Sequence, residues 1–398
     1  MITYAECAQR LSLPASAAEH WEATWDEAGI AMPSGAPAFV QDDFIDDLCA
    51  LSGLHHDAST ALHQAAAQIR HEPCLARLAW QVHWLLYLAT PEQRRRGQAL
   101  PPSNADHPAG NAFLYALAVL SDLPRLRRYY CHHHIDNHIL ADTVHDFAIW
   151  TDDFFQKHSR YGCSAWQWLA HHLKPDLFRL ARLQFQFSRW KYPYQVYQHR
   201  QEPQQLTIFP NAGLPVNAKG FFCQEHEAAA VTTRFHVDAE TICGNAVSPS
   251  GVIDLEPSTL PTSDWRCLIA PNDLMIAMHI PAGEALSPDA CKDALHQARQ
   301  FFPQHFPDFR FKGFCCGSWL FDPQLGNYLP PNSNIMQFQT LFRLFPALGG
   351  NDWQIRERVF GDPMLALDAV PQRSSLQRAV LTHIRAGKAW RSGCAVII

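Results

Sequence analysis

Apolar runs alternate with polar junctions most sharply between residues 274 and 345, where the pattern spells strand, turn, helix, strand, turn, helix. LMIAMHI (274–280) is an apolar run of strand length. PAGEALS (281–287) is a turn that closes on Ser287, an N-cap residue followed by Pro288 at the first helical position. Cys291, Leu295, Ala298 and Phe302 then recur at helical spacing, with Lys292, Asp293, His296, Gln297 and Arg299 on the other face. FRFKGFCCGSWLFD (309–322) predicts a second, mostly buried strand. Asn332, Ser333 and Asn334 predict the cap of a helix whose stripe is Ile335, Phe338, Phe342 and Phe345. A helix between two such strands predicts a parallel crossover. Ligands on open α/β sheets gather at the carboxyl ends of strands and at helix N-termini.

The rest of the chain has two textures. Residues 58–89 carry few helix breakers and many apolar residues. Further helices are expected over 111–121 and 135–155, with a loop at 100–110. Residues 175–190 are expected to begin helical and end extended, and the polar, proline-containing stretch 189–205 is the preferred domain boundary. Beyond it come short β-rich runs, LTIF (206–209), VTTRFHVD (231–238), VIDLE (252–256) and CLIA (267–270). Near the end, Ser374 or Ser375 predicts the cap of a helix carrying Leu376, Val380 and Ile384, with Gly387 as its stop and CAVII (394–398) as a closing strand. The expected class is α+β, with an all-helical domain over 1–204 and a mixed β-sheet flanked by helices over 205–398.

Composition narrows the function classes. With 398 residues, 47% of them hydrophobic and 18% charged, the chain can bury a large core in two domains. Its net charge of −6 gives no general pull toward nucleic acid or an anionic membrane, so neither is an expected partner. No apolar run reaches the roughly 18 residues of a membrane span, and the chain opens without a basic-then-apolar leader pattern. Twelve cysteines lack any Cys-x-x-Cys pair, which argues against a zinc knuckle or a thioredoxin-like motif and fits a reduced, cytoplasmic protein.

Several runs carry a resemblance. HIPAG (279–283), CCGSWLFDP (315–323), NSNIMQFQTLF (332–342) and SSLQRAVLTHIRAG (374–387) resemble the C-terminal half of bacterial acyltransferase domain-containing proteins, which are GNAT-like in fold. IDNHILADTVHDFAIW (135–150) and LFRLARLQFQF (177–187) are similar to that family's N-terminal helical domain. The likeness covers most of residues 45–398. It implies a GNAT-like sheet domain, acetyl-CoA or another acyl-CoA as co-substrate, no metal, and acyl transfer to a small-molecule or peptide amine. The helical domain would shape the acceptor pocket. One stretch departs from the pattern, since PAGEALS stands where GNAT proteins commonly place Arg/Gln-x-x-Gly-x-Gly/Ala to hold the coenzyme A pyrophosphate. Gly283 keeps the backbone freedom, while Glu284 adds a negative charge.

Under this reading His279 is the candidate base, as an imidazole at a strand end, and Glu284 is second. Tyr328 or Asp322 would protonate the leaving thiolate. Ile280, Gly283, Ala285, Leu286 and Ser287 would offer backbone groups to the thioester and pyrophosphate, and Ser318, Trp319, Asn334 and Gln337 would contact substrate. In a regular strand Ser318 and Trp319 point to opposite faces, so at most one shares the cleft of His279. A function from a different class is a GNAT-derived module that binds a metabolite, peptide or partner protein without catalysis, favoured by PAGEALS. Cys316 or Ser318 with His279 would make a hydrolase, but no Gly-x-Ser-x-Gly elbow is present. His134 and His138, with Asp136 or Asp142 nearby, have metal-ligand spacing without a motif that supplies a base.

Overall fold

The computed structural model describes residues 2–98, 107–350 and 352–398. It contains two compact units, Met1–Leu180 with Pro281–Gly283, and Ala181–Ile280 with Glu284–Ile398. The division falls upstream of 189–205 because residues 183–199 form strands whose partners lie at 265–279, inside the second unit.

The first unit is mainly helical. The apolar run at 58–89 is two helices, His56–His71 and Pro73–His83, because Glu72 caps the second through the N–H of Cys74 and Pro73 takes its first position. A wide helical turn, Trp84–Leu88, continues it. The run at 135–155 likewise divides into Asn137–Val144, capped by Asp136, and Asp146–His158. The helix expected over 111–121 is Leu114–Leu120. Of the loop expected at 100–110, residues 100–106 lie outside the described residues, and Pro108–Gly110 is a tight turn. The start of 175–190 is extended rather than helical. Leu177–Leu180 is a strand held beside Asn137–Val144, where the N–H of Arg179 donates to Thr143 Oγ1 at 2.9 Å, and Ala181 follows at φ 50°.

The second unit is built on a mixed sheet. Among the strands of this unit are β1 (Leu183–Arg189), β2 (Tyr194–His199), β3 (Leu206–Pro210), β4 (Trp265–Ile269), β5 (Leu274–His279), β6 (Phe314–Ser318), β7 (Arg343–Pro346) and β8 (Gly393–Ile397). Within this unit the main sheet runs β1-β5-β6-β8-β7, and a smaller antiparallel sheet runs β4-β2-β3. β5 and β6 are parallel, and α1 (Pro288–His305) crosses between them, as the alternation predicts. Ser287 caps α1 through the N–H of Ala290, and Cys291, Leu295, Ala298 and Phe302 are its buried stripe. Phe302 sits edge-on to Phe187 of β1, with ring centroids 5.3 Å apart.

Three local expectations change. The strand read over 309–322 is confined to β6, because Ser318 caps a single turn, Trp319–Phe321, that ends it. The helix after Ser333 is only α2 (Asn334–Gln339); Phe345 lies in β7, where it pairs with Cys394 of β8 and packs among Trp190, Tyr194 and Met275. A sheet edge thus claims residues whose spacing alone fits a helix. Residues 252–256 form no strand, and Ile253 makes one bridge to Val247. The closing segment matches its reading, with a Ser374/Gln377 capping box before α3 (Ser375–Arg385) and then β8.

Removing the Phe302 ring leaves a cavity under α1, at a residue with no solvent exposure. Phe302→Ala is expected to lower unfolding stability by about 3–5 kcal/mol in urea titration; a loss below about 1 kcal/mol would show that α1 is not anchored through this ring.

Candidate active site

The central feature is a parting of two parallel strands. β5 remains paired with β1 to its last residue, His279 opposite Gln184, and β6 remains paired with β8 to its last residue, Ser318 opposite Gly393. Between themselves β5 and β6 pair only at Ile276 with Phe314 and Ala277 with Cys315. Met278 and His279 on one side, and Cys316 to Ser318 on the other, are therefore tied outward and not to each other. The N–H of Ile276 donates to Gly313 O at 3.0 Å. Alternation along the strand carries the amides that face β6 to Met278 and then Ile280, which lies beyond the last paired rung.

Opposed residues share a sheet face, so the register sorts the side chains. Met275, Ala277 and His279 share one face with Gln184, Gln186 and Ser188 of β1, with Cys315 and Gly317 of β6 and with Cys394 of β8. His279 Nε2 lies 3.0 Å from Gln186 Oε1. With that oxygen accepting, Nε2 carries a proton and the ring is oriented. Gly317 is exposed although its strand lies inside the sheet, which marks an opening at the parting. A Cβ there would stand 3.4 Å from the Tyr192 hydroxyl and 3.8 Å from Cys394 Sγ. Burial pushes the Tyr192 phenol well above its ordinary pKa, and the thiols of Cys394, Cys315 and Cys316 push the same way, so it remains protonated. Nothing in the residue pattern singles out Tyr192. It falls in the stretch that reads as a linker, and only the return of β2 beside the sheet brings it to Gly317.

A second residue without a sequence signal is Arg182. It is buried, and its guanidinium donates from Nη2 to Glu284 O at 2.6 Å and from Nε to Ala285 O at 3.3 Å. All described peptides are trans, so with both carbonyls turned to Arg182, the amides of Ala285 and Leu286 point away from it. Ala285 is exposed, and Leu286 and Ser287 are half-buried. The loop therefore turns successive N–H groups outward at the start of α1, with a fixed positive charge behind them. Glu284 is exposed and joins this arrangement through its carbonyl. Gly283, at φ 102°, groups with the first unit.

The remaining candidates serve their own loops. Asp322 is buried and accepts the N–H groups of Arg391 at 2.6 Å and Gln324 at 2.9 Å. Desolvation dominates its titration and raises its pKa to about 6 against those two donors. The Tyr328 hydroxyl lies 3.0 Å from His383 Nδ1, and His383 Nε2 lies 3.2 Å from Ala389 O. A carbonyl only accepts, so Nε2 holds the imidazole proton and Nδ1 takes the Tyr328 hydrogen. That hydrogen is committed within the fold. Ser318 accepts the N–H of Leu320 and shares the face of Cys316, opposite His279, while Trp319 has left the strand and joins the cluster around Leu325 and Trp390. Ser333, not Asn334, caps α2; Asn334 is exposed, and Gln337 Nε2 donates back to Pro331 O at 2.8 Å. Cys316 is buried with its thiol pushed far up, mainly by desolvation, and it faces away from His279, so the two form no nucleophile and base pair. His138 is engaged with Asp136 at 2.8 Å, and among the described residues no three His, Cys, Asp or Glu side chains are placed to share a metal.

A parallel pair that separates at its carboxyl ends, bridged by a helix and edged by antiparallel strands, defines a GNAT-like domain. The chain belongs to the family of the GNAT-like C-terminal domain, whose model matches residues 177–397, and residues 43–174 match the N-acyltransferase N-terminal domain. The helical first unit and sheet-based second unit are the architecture that the resemblance implies. Among solved structures, the fold is similar to an acyltransferase in complex with decanoyl-CoA and teicoplanin, at 22% identity and a TM-score of 0.67 over 100% of this chain and 99% of that one. It is also similar to an acyltransferase in complex with CoA and 10C-teicoplanin, at 21% identity and a TM-score of 0.67 over the same shares. No curated protein matches the chain.

The raised pKa of Asp322 has a testable sign. Its unfolded value is near 3.8 and its folded value about 6. Between those values the folded chain keeps a proton that the unfolded chain has released. This carboxyl's stabilising effect is therefore complete below the lower value and is lost as pH rises through the upper one, by about 3 kcal/mol. The Asp322 carboxyl carbon resonance is expected to titrate with a midpoint near 6, and the falling component of stability is expected to be absent in Asp322→Asn. A midpoint at or below the ordinary Asp value would contradict the burial argument.

Proposed function

We propose that the protein is an acyl-CoA-dependent N-acyltransferase, moving an acyl group from the thioester to an amine on a small-molecule or peptide acceptor. The observation that carries this reading is the loss of pairing between β5 and β6 beyond Ala277 and Cys315, with Ile280 and Gly317 flanking the gap. An extended thioester arm has amides and carbonyls that can complete the interrupted ladder, as a third strand would. The relatives solved with decanoyl-CoA and with CoA support the choice of donor.

In this reading the thioester carbonyl is polarised by the Ile280 N–H. The amine nitrogen attacks, the C–N bond forms and the C–S bond breaks. His279, oriented by Gln186, takes the amine's proton, with Glu284 as the second candidate for that role. The departing thiolate takes the Tyr192 hydroxyl proton. Tyr192 replaces Tyr328 and Asp322 in this step because their polar atoms are engaged elsewhere. The outward amides of Ala285 and Leu286, with Ser287 at the cap and Arg182 behind them, hold the pyrophosphate in place of the usual glycine-rich loop. Gly283 supplies the turn into that loop.

A branched side chain at Gly317 would fill the gap on the face of His279 without forcing the backbone, since the first added carbon meets only ordinary contacts. Decanoyl-CoA at about 100 times its Kd is expected to stabilise the wild type by about 2.7 kcal/mol, read as a rise in Tm, and Gly317→Val is expected to abolish that rise while keeping the Tm of the free protein. An absent response in the wild type, or an undiminished one in Gly317→Val, would overturn the reading. With the donor bound, His279→Ala is expected to lower kcat by about 100-fold or more with little change in acyl-CoA affinity; an unchanged kcat would remove His279 from the reaction.

A further inference from the structure

The sheet unit carries a cleft of about 340 Å³ whose lining includes Lys219, Phe221, Val252, Pro323, His383 and Lys388. Its charge is unusual for a chain with a net charge of −6. Lys219 comes from the loop before residue 220 and Lys388 from the loop that leads into β8; both are exposed, and neither forms an ion pair with a carboxylate among the described residues. The neighbouring charges are already satisfied. Arg391 pairs with Glu227, and Asp322 lies buried beneath its two backbone donors. Both lysines line the cleft with His383, whose pKa burial lowers, against the Ala389 carbonyl that raises it and with the two ammonium groups adding to the lowering. Two like charges converge there on a wall of Phe221, Val252 and Pro323, and an incoming anion would relieve their repulsion. The polar edge adds the Gln324 amide, whose nitrogen is already used by Asp322 and the Ala389 carbonyl.

We infer that this cleft binds a small molecule with an apolar body and a single compact anionic group, a carboxylate or a phosphate, held between Lys219 and Lys388. The inference goes beyond acyl transfer and does not depend on it. The body would pack on Phe221 and Pro323 while the anion accepts hydrogen bonds from the two ammonium groups.

The test uses phenyl phosphate and benzoate as probes, with benzyl alcohol as the uncharged control, followed by saturation-transfer NMR on the full chain. At least one anion is expected to bind saturably, with benzyl alcohol about tenfold weaker or worse. The double variant Lys219→Ala, Lys388→Ala is expected to lose about tenfold in anion affinity with an unchanged Tm, since both side chains are exposed. Binding of phenyl phosphate alone assigns a phosphate group, and binding of benzoate alone assigns a carboxylate. The inference is overturned if neither anion saturates, if benzyl alcohol binds as well as the anions, or if the double variant keeps full affinity, which would place the binding at another site such as the loop before α1.

Discussion

Each of the two central strands is held by its outer neighbour more extensively than by the other. β5 follows β1 for its whole length and β6 follows β8 for its whole length, so their mutual pairing gives way first. Sheet twist accumulates between parallel neighbours, and the strand ends diverge at a point set by the register. Backbone groups that face the gap would each cost about 1–3 kcal/mol if buried without a partner. An opening to solvent at Gly317 removes that cost in the free protein, and an extended ligand removes it in a complex. The same geometry that interrupts the ladder therefore creates a place with a defined hydrogen-bonding demand.

The surrounding parts set the shape and the polar lining of that gap. α1 seals the opposite face of the sheet through Phe302 and its neighbours, so the parting opens toward the face of His279, Gln186 and Tyr192. Arg182 holds the carbonyls of Glu284 and Ala285 inward, and in the proposed reading this takes the place of a glycine-rich loop. In that reading a single buried side chain would do what several glycines do elsewhere, and the exposed Glu284 carboxylate would be screened by water. Asp322 and the Tyr328 and His383 pair belong to a separate task. They fix the chain between β6 and β8, and with them the outer support of β6.

Much of this was legible in the residues, and the exceptions have physical causes. The crossover from β5 through α1 to β6, the Ser287 cap, the capping box before α3 and the position of His279 follow from local spacing and capping chemistry, which depend on neighbours in sequence. The single helices read at 58–89 and 135–155 hide restarts at Pro73 and Asp146, where a cap or a proline resets an otherwise continuous apolar pattern. Phe342 and Phe345 fit a helical stripe, yet β8 needed an edge partner and recruited residues 343–346 as a strand. Tyr192 and Arg182 could not be found by pattern, because each acts on residues 100 or so positions away and only tertiary folding brings them there. Asp322 and Tyr328 had suitable chemistry and suitable spacing, but Asp322 accepts from the distant Arg391 N–H and Tyr328 donates to the distant His383 Nδ1, which commits their polar atoms.

Amide hydrogen exchange with and without decanoyl-CoA tests the central claim most directly, because it reads individual backbone groups at the parting. The account predicts slowed exchange at Ile280 and Gly317 on binding, with β7 and the β4-β2-β3 sheet unchanged. Binding that leaves those two amides exchanging as in the free protein would contradict it.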